Sequence, residues 1–392
     1  METYNQLKQE LNSELNNILY YWTKNTIDYE YGGFVGQINH YNQIIPQASK
    51  GIILNTRILW SFSAASNHLK TNNYKVICDR AFHYLKTFFN DETNKGVFWE
   101  LDFKGTPINK RKQVYAQAFA IYALSEYYLF TKNEDAKNWA ISIFDCIEKH
   151  AKDTLNSGYF EAFNEDWSPI EDMRLSDKDM NASKTMNTHL HVLEAYTTLL
   201  KIYDNDQLRN SLRLLIELIF EKFLNTKNHY DLFFDDQWHL LSNTVSYGHD
   251  IETAWLVIEA AKAVNDAALV NQANAMAIKV ANTFLNEAID DDGAVLNEKN
   301  LTTNHTDTDK HWWPQVEALI GLKYAYALHP DKRYLETSVK IWAFIKKHLI
   351  DHKNGEWFFR VDKNGNVYTE EDKVSMWKAP YHTSRACIIL NR

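Results

Sequence analysis

Apolar residues return at helical steps along most of this chain. Segment 209–223 places Leu212, Leu215, Ile216, Ile219 and Phe220 three or four residues apart, which is one face of a helix. Segments 116–124, 190–196, 251–264 and 316–328 read the same way, and Pro330 marks the stop of the last one. Between helical stretches stand short tokens rich in aromatic and β-branched residues, as hairpin strands are. They are Gly32-Gly33-Phe34-Val35-Gly36, Gly96-Val97-Phe98-Trp99, Gly158-Tyr159-Phe160, Leu232-Phe233-Phe234, Gly293-Ala294-Val295-Leu296 and Gly355-Glu356-Trp357-Phe358-Phe359. With anchors at 33, 96, 158, 233, 293 and 355, the steps are 63, 62, 75, 60 and 62 residues.

That period is too long for the usual small solenoid repeats. It fits two helices and a tight hairpin per unit, and six such units close into a ring. The expected fold is all-α: an (α/α)6 barrel with short β-hairpins in the inter-helix loops. Each unit needs its neighbours to cover its apolar face, so residues 1–392 are expected to form one domain. Gly and Pro number only 12 and 6 in 392 residues, and seven of the glycines lie in the tokens, which leaves the rest free to be helical. The longest step contains a charged stretch near 165–185, expected as a surface loop at the barrel mouth.

Composition narrows the function classes. Net charge is -9 with scattered basic residues, which argues against nucleic-acid partners. No run reaches about 18 apolar residues, so no membrane span is expected. The N-terminus lacks an apolar core of signal-peptide type. Three separated cysteines, Cys78, Cys146 and Cys387, fit a reducing cytoplasm better than a disulfide framework. Nothing reads as an interface, so a monomer is expected. The 12 Trp and 22 Tyr suit a concavity that receives the apolar face of a sugar ring.

Candidate chemistry centres on histidines. No Gly-x-Gly-x-x-Gly, P-loop, His-Glu-x-x-His or Gly-x-Ser-x-Gly pattern occurs, which argues against a nucleotide cofactor, a zinc helix of that type and an elbow-type serine hydrolase. His189 and His191 stand two apart, so a helix lets at most one point into the barrel. His249 and Glu252 stand at i and i+3, where the carboxylate can orient the imidazole. His382 closes Trp377-Lys378-Ala379-Pro380-Tyr381-His382. Two histidines with Glu252 form a weak metal set. Trp312 and Trp313 read equally as core or as a stacking platform. Arg57, among apolar neighbours, serves either a structural ion pair or a substrate oxygen.

Segments 50–60, 115–119, 184–191, 246–255, 312–317 and 377–382 together resemble the cellobiose 2-epimerase branch of the N-acylglucosamine 2-epimerase superfamily. The resemblance implies an (α/α)6 barrel without a redox cofactor or metal. It also implies epimerisation at C2 of the reducing-end sugar of β-1,4-linked disaccharides, cellobiose or mannobiose. Carried over, it makes His249 and His382 the acid/base pair and His191 the ring-opening residue. Arg57 becomes an electrostatic anchor and Glu252 the partner of His249. Tyr115, Asn187, Glu298, Trp312, Trp313 and Trp377 line the sugar sites, with His189 in support. The rivals are an N-acylglucosamine 2-epimerase or aldose–ketose isomerase, an inverting glycoside hydrolase with two carboxylates, and a non-catalytic sugar-binding module.

Overall fold

The computed structural model describes residues 2–392. Twelve α-helices alternate between two concentric rings. The inner ring is α2 (Ile52–Leu69), α4 (Val114–Thr131), α6 (Met186–Leu199), α8 (Tyr247–Val264), α10 (Trp312–Leu328) and α12 (Tyr381–Leu390). Each packs on the next, and α12 packs back on α2, so the ring closes. The outer ring is α1 (Glu2–Asn25), α3 (Lys75–Tyr84), α5 (Glu134–Cys146), α7 (Asp206–Leu218), α9 (Ala267–Glu287) and α11 (Lys332–Phe344). Sequence patterning separates the rings. Inner α4 is buried along fourteen consecutive residues from Val114 to Tyr127. Outer α7 buries only one stripe, built on Leu208, Leu212, Leu215 and Ile216. The helical segment read over 209–223 leaves the α form after Leu218 and finishes as a π-helical turn, Ile219–Phe223. Such turns also close α3, α5 and α11.

The Gly-aromatic tokens pair with the ends of the preceding outer helices. Single antiparallel bridges join Ile27 to Phe34, Asn90 to Val97, Lys152 to Tyr159, Ile289 to Val295 and Ile350 to Trp357. The fourth token needs a correction. The equivalent bridge is Leu224 to Tyr230, upstream of Leu232-Phe233-Phe234, and its turn uses Asn228 at φ 64 where the other units use glycine. Asparagine tolerates that left-handed backbone, so the unit lost its glycine signal while keeping its turn.

Most short strands knit consecutive units instead of closing one unit on itself. The strand before each inner helix pairs with a strand ahead of the next: Lys50–Gly51 with Glu100–Leu101, Lys112–Gln113 with Ala162–Phe163, and Lys184–Thr185 with Phe233–Phe234. Thr244–Ser246 pairs with Glu298–Asn300, and Lys310–His311 with Arg360–Val361. A bridge from Ile38 to Val374 joins the first unit to the last. A latch repeats with them: buried Lys50, Lys112, Lys184, Lys310 and Lys373 bind Asp28, Asp91, Asp153, Asp290 and Asp351 in the turn after the preceding outer helix. Among the described residues no helix is long and apolar enough to cross a membrane, and Cys78, Cys146 and Cys387 are buried and unpaired.

Candidate active site

Because every inner helix is preceded by an outer one running the other way, all six inner N-termini open at the same end of the barrel. Outer helices α5, α7, α9 and α11 carry side-chain caps from Asn133, Asn205, Asp266 and Asp331. Among inner helices only α6 has one, from Thr185. Five of the six inner helices also lack an acidic residue in the first turn; α8, with Asp250, is the exception. The positive ends of the helix dipoles are therefore left largely uncompensated where they converge, a setting that favours developing negative charge.

A pocket of about 180 Å³ lies at that convergence. His191, His249, His382, Arg57 and Glu252 line it, all five of the residues expected to do chemistry. So do Tyr115, Asn187, Trp312, Trp313 and Trp377 of the expected sugar contacts. Glu298 does not; it lines an adjoining chamber of about 570 Å³, which shares Asn187, His249 and Trp313 with the first. The charged loop after β-strand Ala162–Phe163 borders this second chamber through Leu175, Lys178, Asp179 and Met180. Phe359 lines the first pocket and had no sequence signal beyond its token.

The three pocket histidines share one arrangement. His191 Nδ1 donates to Glu194 at 3.0 Å, and His382 Nδ1 to Glu317 at 2.8 Å. His249 Nδ1 meets the Ser246 hydroxyl at 2.8 Å. In all three, Nε2 has no protein partner among the described residues. A carboxylate beside Nδ1 can only accept, so Nε2 of His191 and His382 is the free basic nitrogen of the neutral ring. The orienting partner of His249 is thus Ser246, a correction to the expectation that Glu252 would hold it; the Glu252 carboxylate is turned to Arg385. His249 keeps an edge open to the pocket, yet burial lowers it to about 4, opposed by the Glu252 charge and reinforced by His191. Burial also lowers His382. Trp313 packs close to both, its ring 4.8 Å from His249 and 5.6 Å from His382 by centroids.

His189, the other member of the pair, turns away from the pocket. Its Nδ1 donates to the Thr185 carbonyl and its Nε2 accepts the Tyr159 amide N–H. Gln117 clamps Val97 and Gln315 clamps Val295 from the equivalent place. His189 is therefore the third unit's version of a structural clamp.

Arg57 makes no ion pair among the described residues. It donates to the Tyr115 hydroxyl at 2.9 Å and the Trp377 carbonyl at 3.1 Å, and its Nε is buried without a partner. Phe119 and Tyr381 flank the guanidinium at 4.6 and 5.0 Å. A buried guanidinium with no carboxylate beside it is a fixed positive charge available to substrate oxygen. Burial raises the Tyr115 hydroxyl to about 12, so it stays protonated as a donor.

Glu252, Glu317 and His382 present ligand atoms within 4.8 Å of one another. Both carboxylates already accept from Arg385, so the cation of this cluster is a guanidinium, and the set does not fit a metal without displacing it. Glu194, Glu317, Arg385 and Ser246 were missed in the sequence. The signal for Glu194 was present: His191 and Glu194 repeat the i, i+3 spacing of His249 and Glu252.

The family model described as N-acylglucosamine 2-epimerase (GlcNAc 2-epimerase) matches residues 32–386. The chain belongs to this family. Within it, the chain is similar to a protein named cellobiose 2-epimerase from Bacteroides fragilis, at 44% identity over 98% of each chain. It is 36% identical to one of the same name from Dictyoglomus turgidum over 97% of each. The solved cellobiose 2-epimerase of Bacillus thermoamylovorans superposes with a TM-score of 0.93 at 35% identity over 98% of each chain. The chain is an enzyme of the isomerase class, built as an (α/α)6 barrel like these relatives.

Proposed function

We propose that this epimerase-family enzyme inverts C2 of the reducing-end sugar of β-1,4-linked disaccharides, converting cellobiose to glucosyl-mannose and mannobiose to mannosyl-glucose. The observation that carries the reading is the convergence of three histidines with free Nε2 atoms on a tryptophan-walled pocket at uncompensated helix N-termini. The names of the relatives supply the substrate class.

His191 moves the proton that opens the ring and exposes the C1 aldehyde. The C2 hydrogen is then acidic because the carbonyl accepts the charge. One of His249 and His382 removes it, the C–H electron pair passing into the C1–C2 bond to form an enediolate. The other, which enters the step as an imidazolium, delivers its Nε2 proton to the opposite face of C2 and is left neutral, and the pair exchange roles in the reverse reaction. Two bases carried on different helices, α8 and α12, and lining one pocket suit attack on two faces of C2. Arg57, Tyr115 and the converging helix ends stabilise the enediolate oxygen, the kind of preorganised charge that contributes most to such barriers. The adjoining chamber with Glu298 receives the second sugar. No cofactor enters any step. In the cell the enzyme is a cytoplasmic monomer acting on small sugars alone.

Incubation of the purified protein with cellobiose or mannobiose in D2O, followed by NMR, tests this. The expected product is a C2-epimerised disaccharide carrying deuterium at C2. Release of monosaccharides would mean hydrolysis, deuterium at C1 of a ketose would mean isomerisation, and either as the main product overturns the reading.

A further inference from the structure

Three inner helices each carry a pocket histidine with a charged residue one turn deeper: His191 and Glu194 on α6, His249 and Glu252 on α8, His382 and Arg385 on α12. Helix α10 adds Glu317 at the same depth. The four charged side chains meet beneath the pocket. Arg385 is fully buried and donates to Glu194, Glu252 and Glu317 together. Trp255 and Tyr381 flank its guanidinium at 4.9 and 4.4 Å, and the Tyr381 hydroxyl donates to Glu194. Two of the three carboxylates in turn accept the Nδ1 hydrogen of a pocket histidine.

We propose that Arg385 is a positioning residue for the reaction: by holding three carboxylates at once, it fixes which nitrogen of His191 and of His382 carries hydrogen. The proposal rests on the two-histidine reading above. A carboxylate that accepts from a guanidinium and an imidazole together has no freedom to rotate. Without the guanidinium, three buried carboxylates repel, and one relieves this by taking a proton. A protonated carboxyl donates as well as accepts, so the imidazole above it can turn its Nδ1 into an acceptor and move its hydrogen to Nε2. That tautomer cannot remove a proton from carbon. Lysine keeps the charge but loses the planar fork that reaches all three acids. The Glu194 carboxyl carries the imprint: burial would raise it, but Arg385, His191 and Tyr381 together hold it at about 2, whereas at Glu317 burial outweighs Arg385 and holds the carboxyl above its usual range.

The test is 15N NMR of the imidazoles in the full-length protein, with kcat and KM on cellobiose, for wild type, Arg385→Lys and Glu317→Gln. Wild type should show hydrogen on Nδ1 of His191 and His382. Arg385→Lys should give mixed tautomers at both and lose about 100-fold in kcat, with KM within about threefold, a loss of the size seen when the residues that orient a metal-bound histidine are removed. Glu317→Gln should disturb His382 and leave His191 unchanged. A folded Arg385→Lys with wild-type tautomers and kcat overturns the proposal. Should that variant not fold, Glu317→Gln decides, and an unchanged His382 tautomer and kcat overturn it. A wild-type protein that epimerises no sugar would sink the functional reading instead, while the tautomer pattern still reports on Arg385.

Discussion

Single side chains decide whether this pocket can work. His249→Ala and His382→Ala each remove one of the two groups proposed to act on C2, so kcat should fall by about a thousandfold or more with an unchanged circular dichroism spectrum. Epimer formation by His382→Ala at more than about a tenth of the wild-type rate would sink the pairing. Gly248 matters for space. A Cβ there would lie 2.5 Å from the Trp313 ring, against which His249 also rests. Gly248→Ala should therefore displace Trp313, raising KM about tenfold while the melting temperature moves by only a few degrees. His189 gives a pH test whose sign can be worked out. Burial lowers it to about 4 in the fold, against 6.5 free. Its contribution to stability is complete above 6.5 and is lost as pH falls through about 4, because the unfolded chain takes the proton first. The full loss is on the order of 3 kcal/mol. His189→Gln, copying Gln117 and Gln315, should hold stability at neutral pH and lose about 2 kcal/mol less than wild type between pH 7 and 4.5 by urea titration.

At the scale of elements, the helices were legible because their patterns are local. Segments on both rings read as helices with an apolar face, and α10 stops where Pro330 stands; that inner α4 is buried all round while outer α7 buries one stripe emerged only from the ring. The Lys–Asp latches were not legible, since each joins a strand to a turn one outer helix earlier, and no short pattern marks the pair. Their energetic weight follows from burial: Lys112 and Asp91 are almost wholly enclosed. Lys112→Met leaves a buried aspartate without its partner and should cost about 3–5 kcal/mol, measurable by urea unfolding. Close helix packing supplies a second test. A Cβ on Gly321 of α10 would meet Ile251 of α8 at 2.4 Å from its side chain and 2.9 Å from its carbonyl oxygen. Backbone cannot yield as a side chain can, so Gly321→Ala should destabilise by about 1–3 kcal/mol. A neutral result would mean that α8 and α10 can separate without loss.

For the whole molecule, ring closure is the controlling fact. Helix α12 completes the inner ring between α10 and α2, packs on α1, and brings both His382 and Arg385. Deleting residues 377–392 should therefore remove activity and also replace a single cooperative unfolding transition with a broad one, read by calorimetry. The period of about 62 residues, the helical class and the six-unit ring follow from the sequence alone, because turn chemistry and apolar periodicity act over a few residues. The identity of the pocket histidines also followed, through the resemblance of ordered segments. What only the tertiary structure decided was which partner each group keeps. Ser246 instead of Glu252 holds His249, His189 clamps a neighbouring turn, and Glu298 belongs to the adjoining chamber. Glu194, Glu252 and Glu317 share one guanidinium because ring closure brings residues separated by 68 to 191 positions to Arg385. Partner choice in a closed ring is set by distance in space, and a linear sequence does not carry it.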